Sequence, residues 1–182
     1  MSTETRTRLQ GAVRSVPDFP DQGIVFKDLS PILANPELFA LARDELLATA
    51  HPFVDGQHVD AFAGIDARGF LFASALAAVE GAGVLLLRKD GKLPEPTMRA
   101  TAVTEYSEVT LCLDPSMFED RSVVLVDDIL ATGGTAIAAA DLIEKAGGRL
   151  LCAVFFGEIA ALPGRETLWN QTGVRAAVVL TL

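Results

Sequence analysis

Residues 123–148 read VVLVDDILATGGTAIAAADLIEKAGG, and this stretch decides the fold. The run Ser122–Val126 is apolar and largely β-branched, which predicts a strand over 122–128 buried on both faces of a parallel sheet. The run ends in two adjacent acids, Asp127 and Asp128. A loop of small residues follows, Ala131-Thr132-Gly133-Gly134-Thr135, and then a helical pattern over 134–146. Ala136, Ala139, Ala140, Ile143 and Ala146 fall on one helical face, and Gly147-Gly148 stops it.

Outward from this unit the same alternation continues. Further strands are predicted at 59–65, 83–89, 105–113, 149–157 and 174–182, and further helices at 3–15, 36–50 and 69–81. The pattern predicts an α/β fold: a twisted, mainly parallel sheet flanked by helices and joined by right-handed crossovers. Residues 90–102, DGKLPEPTMRATA, carry two prolines and a glycine and are predicted as a mobile surface loop. In open parallel sheets ligands bind beyond the carboxyl ends of the strands. That rule directs attention to Asp66, Arg88, Asp127 and Glu158, where apolar runs turn polar.

The chain has 182 residues, half of them hydrophobic, and no linker or repeat, so one domain over 1–182 is expected. A net charge of −9 argues against a general nucleic-acid binder, which needs a basic face. A small phosphorylated ligand needs only a local cluster of donors and stays open. No apolar stretch reaches the ~18–20 residues of a membrane helix. The first residues, MSTETRTRLQ, lack the apolar core of a signal peptide, so a cytoplasmic location is expected. Cys112 and Cys152 lie in apolar runs and read as buried free thiols, and His51 and His58 are isolated, which argues against a histidine-based metal site.

The loop after the paired acids carries the chemistry. Glycines let backbone N–H groups approach an anion, and a helix N-terminus adds partial positive charge. Thr132 and Thr135 add hydroxyl donors. The pattern is neither GxxxxGK[ST] nor GxGxxG. Taken alone, TGGT also suits a tight turn with a threonine cap. The acids shift the balance: two carboxylates beside an anion site repel the anion unless they have another task. Accepting hydrogen bonds from hydroxyls is such a task, so a ribose 5-phosphate fits both halves.

VVLVDDILATGGT resembles the 5-phosphoribosyl-1-pyrophosphate (PRPP) motif of type I phosphoribosyltransferases. The chain is more broadly similar to the adenine phosphoribosyltransferase family, through DFPDQGIVFKDLSPIL (18–33), GIDARGFLF (64–72), RKDGKLPEPT (88–97), the pair Glu105-Tyr106 and EIAALPGRETL (158–168). Asp66 stands where that family usually has Glu, Lys27 where it commonly has Arg, and Ser107 where Gly usually follows the Glu-Tyr pair.

The resemblance implies a type I phosphoribosyltransferase fold with a small N-terminal hood (18–35) and a flexible catalytic lid loop (88–104). It implies a reaction: adenine plus PRPP gives AMP plus pyrophosphate, with Mg²⁺ held mainly by PRPP and no assigned protein ligand. It implies a homodimer. On this resemblance Asp127, Asp128, Ala131, Thr132, Gly133, Gly134 and Thr135 bind PRPP and AMP. Asp66, Ala67, Arg68, Arg88, Lys89 and Lys92 take the pyrophosphate, with Arg68 also catalytic. Glu105 is the general acid or base. Val25, Phe26, Lys27 and Ile159 bind adenine, whose flat apolar faces suit stacking. Two alternatives remain: the same fold serving another base (hypoxanthine, guanine, xanthine or orotate), or a regulator that binds nucleotide without chemistry.

Overall fold

The computed structural model describes residues 1–103 and 108–182. In chain order its elements are α1 (Thr3–Ala12), β1 (Arg14–Pro17), β2 (Val25–Asp28), α2 (Ser30–Ala34), α3 (Pro36–Val54), β3 (Ala61–Ile65), α4 (Arg68–Glu80), β4 (Gly83–Lys89), β5 (Met98–Val103), β6 (Glu108–Leu113), β7 (Ser122–Leu130), α5 (Gly134–Lys145), β8 (Arg149–Glu158), α6 (Gly164–Thr172) and β9 (Ala176–Thr181).

The main sheet has seven strands in the order β5-β6-β4-β3-β7-β8-β9. The five strands β4-β3-β7-β8-β9 are parallel, and β7 is the middle one. Its run is continuously apolar because both faces are covered. Val123 and Leu125 pack with Ala139, Leu142 and Ile143 of α5 and Leu168 of α6. Val124 and Val126 pack on the other side with Leu46 of α3 and Phe72 and Leu76 of α4. Phe72 also stacks on Phe156 of β8, with ring centroids 5.8 Å apart.

Several expectations need correction. The first helix stops at Ala12, because Arg14–Pro17 pairs antiparallel with Val25–Asp28 as a separate two-stranded sheet. The helix expected over 36–50 continues to Val54, with Pro52 in its last turn. The loop expected over 90–102 is only half a loop. Met98–Val103 is a strand paired antiparallel with β6, which in turn reaches β4 through Arg88 and Lys89. A helix at Gly164–Thr172 was not expected, since its sequence is polar and little of it besides Gly164 and Leu168 is buried.

One contact places the site. At Gly69, the second residue of α4, a Cβ would lie 2.6 Å from the Val126 carbonyl oxygen and 3.0 Å from Asp127 Oδ1. Only a glycine lets α4 begin this close to β7, and the approach sets Arg68 beside the paired acids.

Candidate active site

Three parallel strands deliver their polar ends to one place. Ile65 closes β3, and Asp66 follows, its N–H donating to the Leu87 carbonyl at 2.9 Å. The Asp66–Ala67 peptide is cis, and Arg68 opens α4. β7 brings Asp127 and Asp128, and β8 brings Glu158 and the following Ile159. The β1–β2 hairpin covers these ends from above the sheet. Together they enclose a cavity of about 490 Å³ whose walls include Val25, Phe26, Arg68, Asp127, Thr135 and Ile159. A nook of about 70 Å³ adjoins it, formed by Asp127 and the turn Ala131–Thr135.

The nook has the character of an anion cradle. Gly133 has φ +95° and directly precedes the first turn of α5. Its backbone is pressed against α6: a Cβ there would lie 2.9 Å from the Gly164 carbonyl oxygen. The loop therefore rests on the N-terminal end of α6, a support that the local pattern of TGGT does not announce. Its position before α5 puts the positive end of the helix dipole at the nook.

The paired acids have different surroundings. Asp127 is half-buried at the cavity wall, and desolvation by the surrounding protein, reinforced by the Asp128 charge beside it, holds its pKa well above the ordinary carboxylate value. The Asp128 N–H donates to Asp127 Oδ1 at 2.9 Å, which opposes that rise without cancelling it. Asp128 Oδ2 lies 2.8 Å from Arg68 Nε. The oxygen is buried and receives no well-aligned hydrogen bond, so its contact with Arg68 is one of charge. Arg68 also lies over the Phe26 ring, 5.2 Å from its centroid, and so ties the hood to β7.

The hood is itself anchored. Arg14 pairs with Asp28 across the hairpin, and Asp28 Oδ1 accepts from the Ser30 N–H at 2.9 Å. The hydrogen bonds from Ser30, with those and the charge of Arg14, hold the Asp28 pKa down at about 2. Phe19 packs edge-on against Phe26 at 5.2 Å, and Lys27 Nζ donates to Ser15 Oγ at 3.1 Å.

Among the described residues no group of three or more His, Cys, Asp or Glu side chains is placed to hold a metal. Mg²⁺ commonly takes one or two carboxylates, waters and substrate phosphate oxygens. The Asp127–Asp128 pair fits an ion that brings most of its ligands with a diphosphate, and does not fit a resident one.

The phosphoribosyl transferase domain matches residues 29–169. Adenine phosphoribosyltransferase of Thermobifida fusca is 43% identical over 169 residues, covering 92% of this chain and 94% of that protein. The chain belongs to the adenine phosphoribosyltransferase family. The solved adenine phosphoribosyltransferase of Rhodothermus marinus superposes with a TM-score of 0.89 at 38% identity over the full length of both chains. The Saccharomyces cerevisiae enzyme, solved with adenine and an imino-altritol bisphosphate, has a TM-score of 0.86 at 34% identity and covers 97% of this chain and 98% of its own. These likenesses bear out the expected fold class.

Most of the residues singled out in the sequence meet at this family site. Val25, Phe26, Lys27, Asp66, Ala67, Arg68, Lys89, Asp127, Asp128, Ala131, Thr135 and Ile159 line the main cavity. Thr132, Gly133 and Gly134 join the nook. Arg88 and Lys92 reach the site through Asp66 and do not form its wall. Glu105 lies outside the described residues. The sequence did not single out Ile24, Val109, Leu111 and Ile129, which supply apolar wall. Their only signal was strand alternation, which marks a buried face without saying whether core or ligand covers it.

Proposed function

We propose that this chain transfers the 5-phosphoribosyl group of PRPP to adenine, releasing AMP and pyrophosphate, in purine salvage. The observation that carries this reading is the cavity that joins an aromatic hood and an adjacent acid pair to a glycine-built nook. The 5-phosphate belongs in the nook, on the N–H groups of Ala131–Thr135. The ribose hydroxyls lie on Asp127 and Asp128. The base lies between Val25 and Phe26 on one side and Ile159 on the other, with Lys27 at its edge. Residues 18–35 act as the hood and 88–104 as the lid, within one domain over 1–182.

In the reaction, adenine N9 bonds to the anomeric carbon as the carbon–oxygen bond to the diphosphate breaks, and that electron pair leaves on pyrophosphate. The ring nitrogen gives up its proton, and Glu105 is the group assigned to exchange a ring proton. Positive charge grows on the sugar and negative charge on the leaving group. Asp128, and Asp127 once ionised, stand on the sugar side, and Arg68 and Ala67, with Lys89 and the Asp66-paired Arg88 and Lys92 at the lid, on the other. Fixed charges of this kind cost little reorganisation as the transition state forms. Mg²⁺, when bound, neutralises the diphosphate and makes it a better leaving group.

The reading extends to a homodimer and a cytoplasmic location. Leu71 and Val79 of α4 and Val84 and Leu86 of β4 are large, apolar and 39–52% exposed, and a second copy is the partner proposed to cover them. Incubating the protein with Mg²⁺, PRPP and a panel of bases tests the function. AMP formation from adenine, with little turnover of hypoxanthine, guanine, xanthine or orotate, is expected. Preference for another base, or no turnover at all, refutes it.

A further inference from the structure

The Asp66 carboxylate sits where its charge is hardest to explain. It faces the side of the cavity assigned to the diphosphate, and a carboxylate repels that group. The side chain is only 7% exposed, so it is not directed to solvent. One oxygen, Oδ2, gathers three donors: Arg88 Nε at 3.2 Å, the Lys89 backbone N–H at 3.4 Å and Lys92 Nζ at 3.8 Å. Arg88 is held from its other side by the Phe70 ring, 5.7 Å from centroid to guanidinium carbon. The Lys92 side chain is 51% exposed. Burial raises the Asp66 pKa, but the Arg88 hydrogen bond, the Lys89 N–H and the two cationic charges outweigh it and leave it below the ordinary value. The group is thus a fixed anion at the working pH.

We propose that Asp66 is a positioning residue that holds Arg88 and Lys92 at the cavity mouth and yields them to the diphosphate, without itself touching the diphosphate. This rests on the reading that the diphosphate lies against residues 66–68 and the lid cations. The physical reason is pre-organisation. A long cation free in solvent loses side-chain freedom when it binds an anion, whereas one already held near its final place loses less. A multiply charged diphosphate then displaces a single carboxylate from the same donors.

Asp66→Asn keeps the shape and one acceptor but removes the charge. Two opposite results separate the possibilities. If Asp66 only repels substrate, its loss tightens PRPP and pyrophosphate binding. If it positions the cations, KM for PRPP rises about tenfold or more, pyrophosphate inhibition weakens in step, and KM for adenine stays put. Asp66→Glu, which restores the charge, recovers part of the loss. In a Lys92→Met background the effect of Asp66→Asn shrinks, because part of it passes through Lys92. Tighter pyrophosphate binding in Asp66→Asn, or an undiminished effect in the Lys92→Met background, overturns the proposal. Asp66→Ser carries the same expectations if the Asn variant does not fold. If Lys92→Met and Arg88→Met leave PRPP kinetics unchanged, the placement of the diphosphate itself is wrong. If they weaken PRPP and Asp66→Asn does not, only the positioning role fails.

Discussion

Gly164→Ala sets two well-understood effects against each other. Gly164 is the first residue of α6, without the positive φ that would forbid a side chain, so helix propensity favours alanine there by up to about 1 kcal/mol. Packing opposes it. A Cβ at Gly164 would lie 2.2 Å from the Ala131 carbonyl oxygen and 2.8 Å from Leu130 Cγ, the closest approach of any glycine in the described residues. The nearest atom is backbone, so no side chain can swing aside, and the two segments must part by more than about 1 Å to reach ordinary contact. Overpacking of this kind costs about 1–3 kcal/mol, which exceeds the propensity gain. The expected net loss is about 1–2 kcal/mol, or a fall in Tm of about 2–8 °C for a chain of this size. The displaced atom belongs to the loop proposed to cradle the 5-phosphate, and a shift near 1 Å in a positioning element can cost about 100-fold in rate. Differential scanning fluorimetry and initial rates with PRPP and adenine varied in turn measure both effects. Gly11→Ala, in the last turn of α1 with nothing within 4 Å, is the control and is expected to be neutral or stabilising. A Gly164→Ala protein that melts like the parent and keeps its KM for PRPP refutes the reasoning.

Other substitutions test the remaining parts of the site. Asp128→Asn removes the charge beside Arg68 and a hydroxyl acceptor. A charged hydrogen bond is worth roughly 1.5–3 kcal/mol, so kcat/KM for PRPP should fall about 10- to 100-fold, as steady-state rates will show. Asp127 holds its proton above the ordinary carboxylate range, so the folded state binds more protons than the unfolded one, and stability is lost as pH climbs from about 4 through the raised value. Asp127→Asn should therefore raise Tm at neutral pH while impairing PRPP use. Asp28 is depressed to about 2, so its contribution is present above the unfolded value near 4 and is lost as pH falls toward 2. At neutral pH, Asp28→Asn should loosen the hood and raise KM for adenine more than KM for PRPP.

The central unit was legible because its signals are local. The alternation of Val123, Val124, Leu125 and Val126 between two cores needs no partner to be recognised, and Gly133 and Gly147-Gly148 punctuate the helix they flank. β5 was hidden for the opposite reason. Pro94 and Pro96 precede it, and its small residues Ala100 and Ala102 carry little strand preference, so its pairing with β6 decides its state. α6 has an apolar face little wider than Leu168, too narrow for periodicity to register. In the site, residue identity was readable but partnership was not. Asp66 meets Arg88 across 22 residues of chain, and Gly164 presses on a loop some thirty residues earlier. Nothing in GIDARGF says that its acid faces lid cations, just as nothing in LPGRE says that its glycine supports the phosphate loop.

On the proposed placement of the diphosphate, the arrangement of charge explains how a chain with net charge −9 takes a polyanion. Arg68 is held by Asp128, and Arg88 and Lys92 by Asp66, each aspartate at the carboxyl end of a buried parallel strand. The carboxylates therefore do two things that solvent cannot. They fix where the cations stand, since both acids sit at the ends of strands inside the parallel sheet and their side chains are 7% exposed. They also keep those cations partly dehydrated in advance, so part of the desolvation cost that weakens buried ion pairs falls on folding and not on binding. A diphosphate then exchanges for a single carboxylate instead of stripping water from mobile lysines and arginines. By the same logic an unpaired cationic pocket would attract anions more strongly at long range yet hold them less selectively, because any anion gains from an unsatisfied cation. In this site, only an anion with more charge than one carboxylate gains by the exchange.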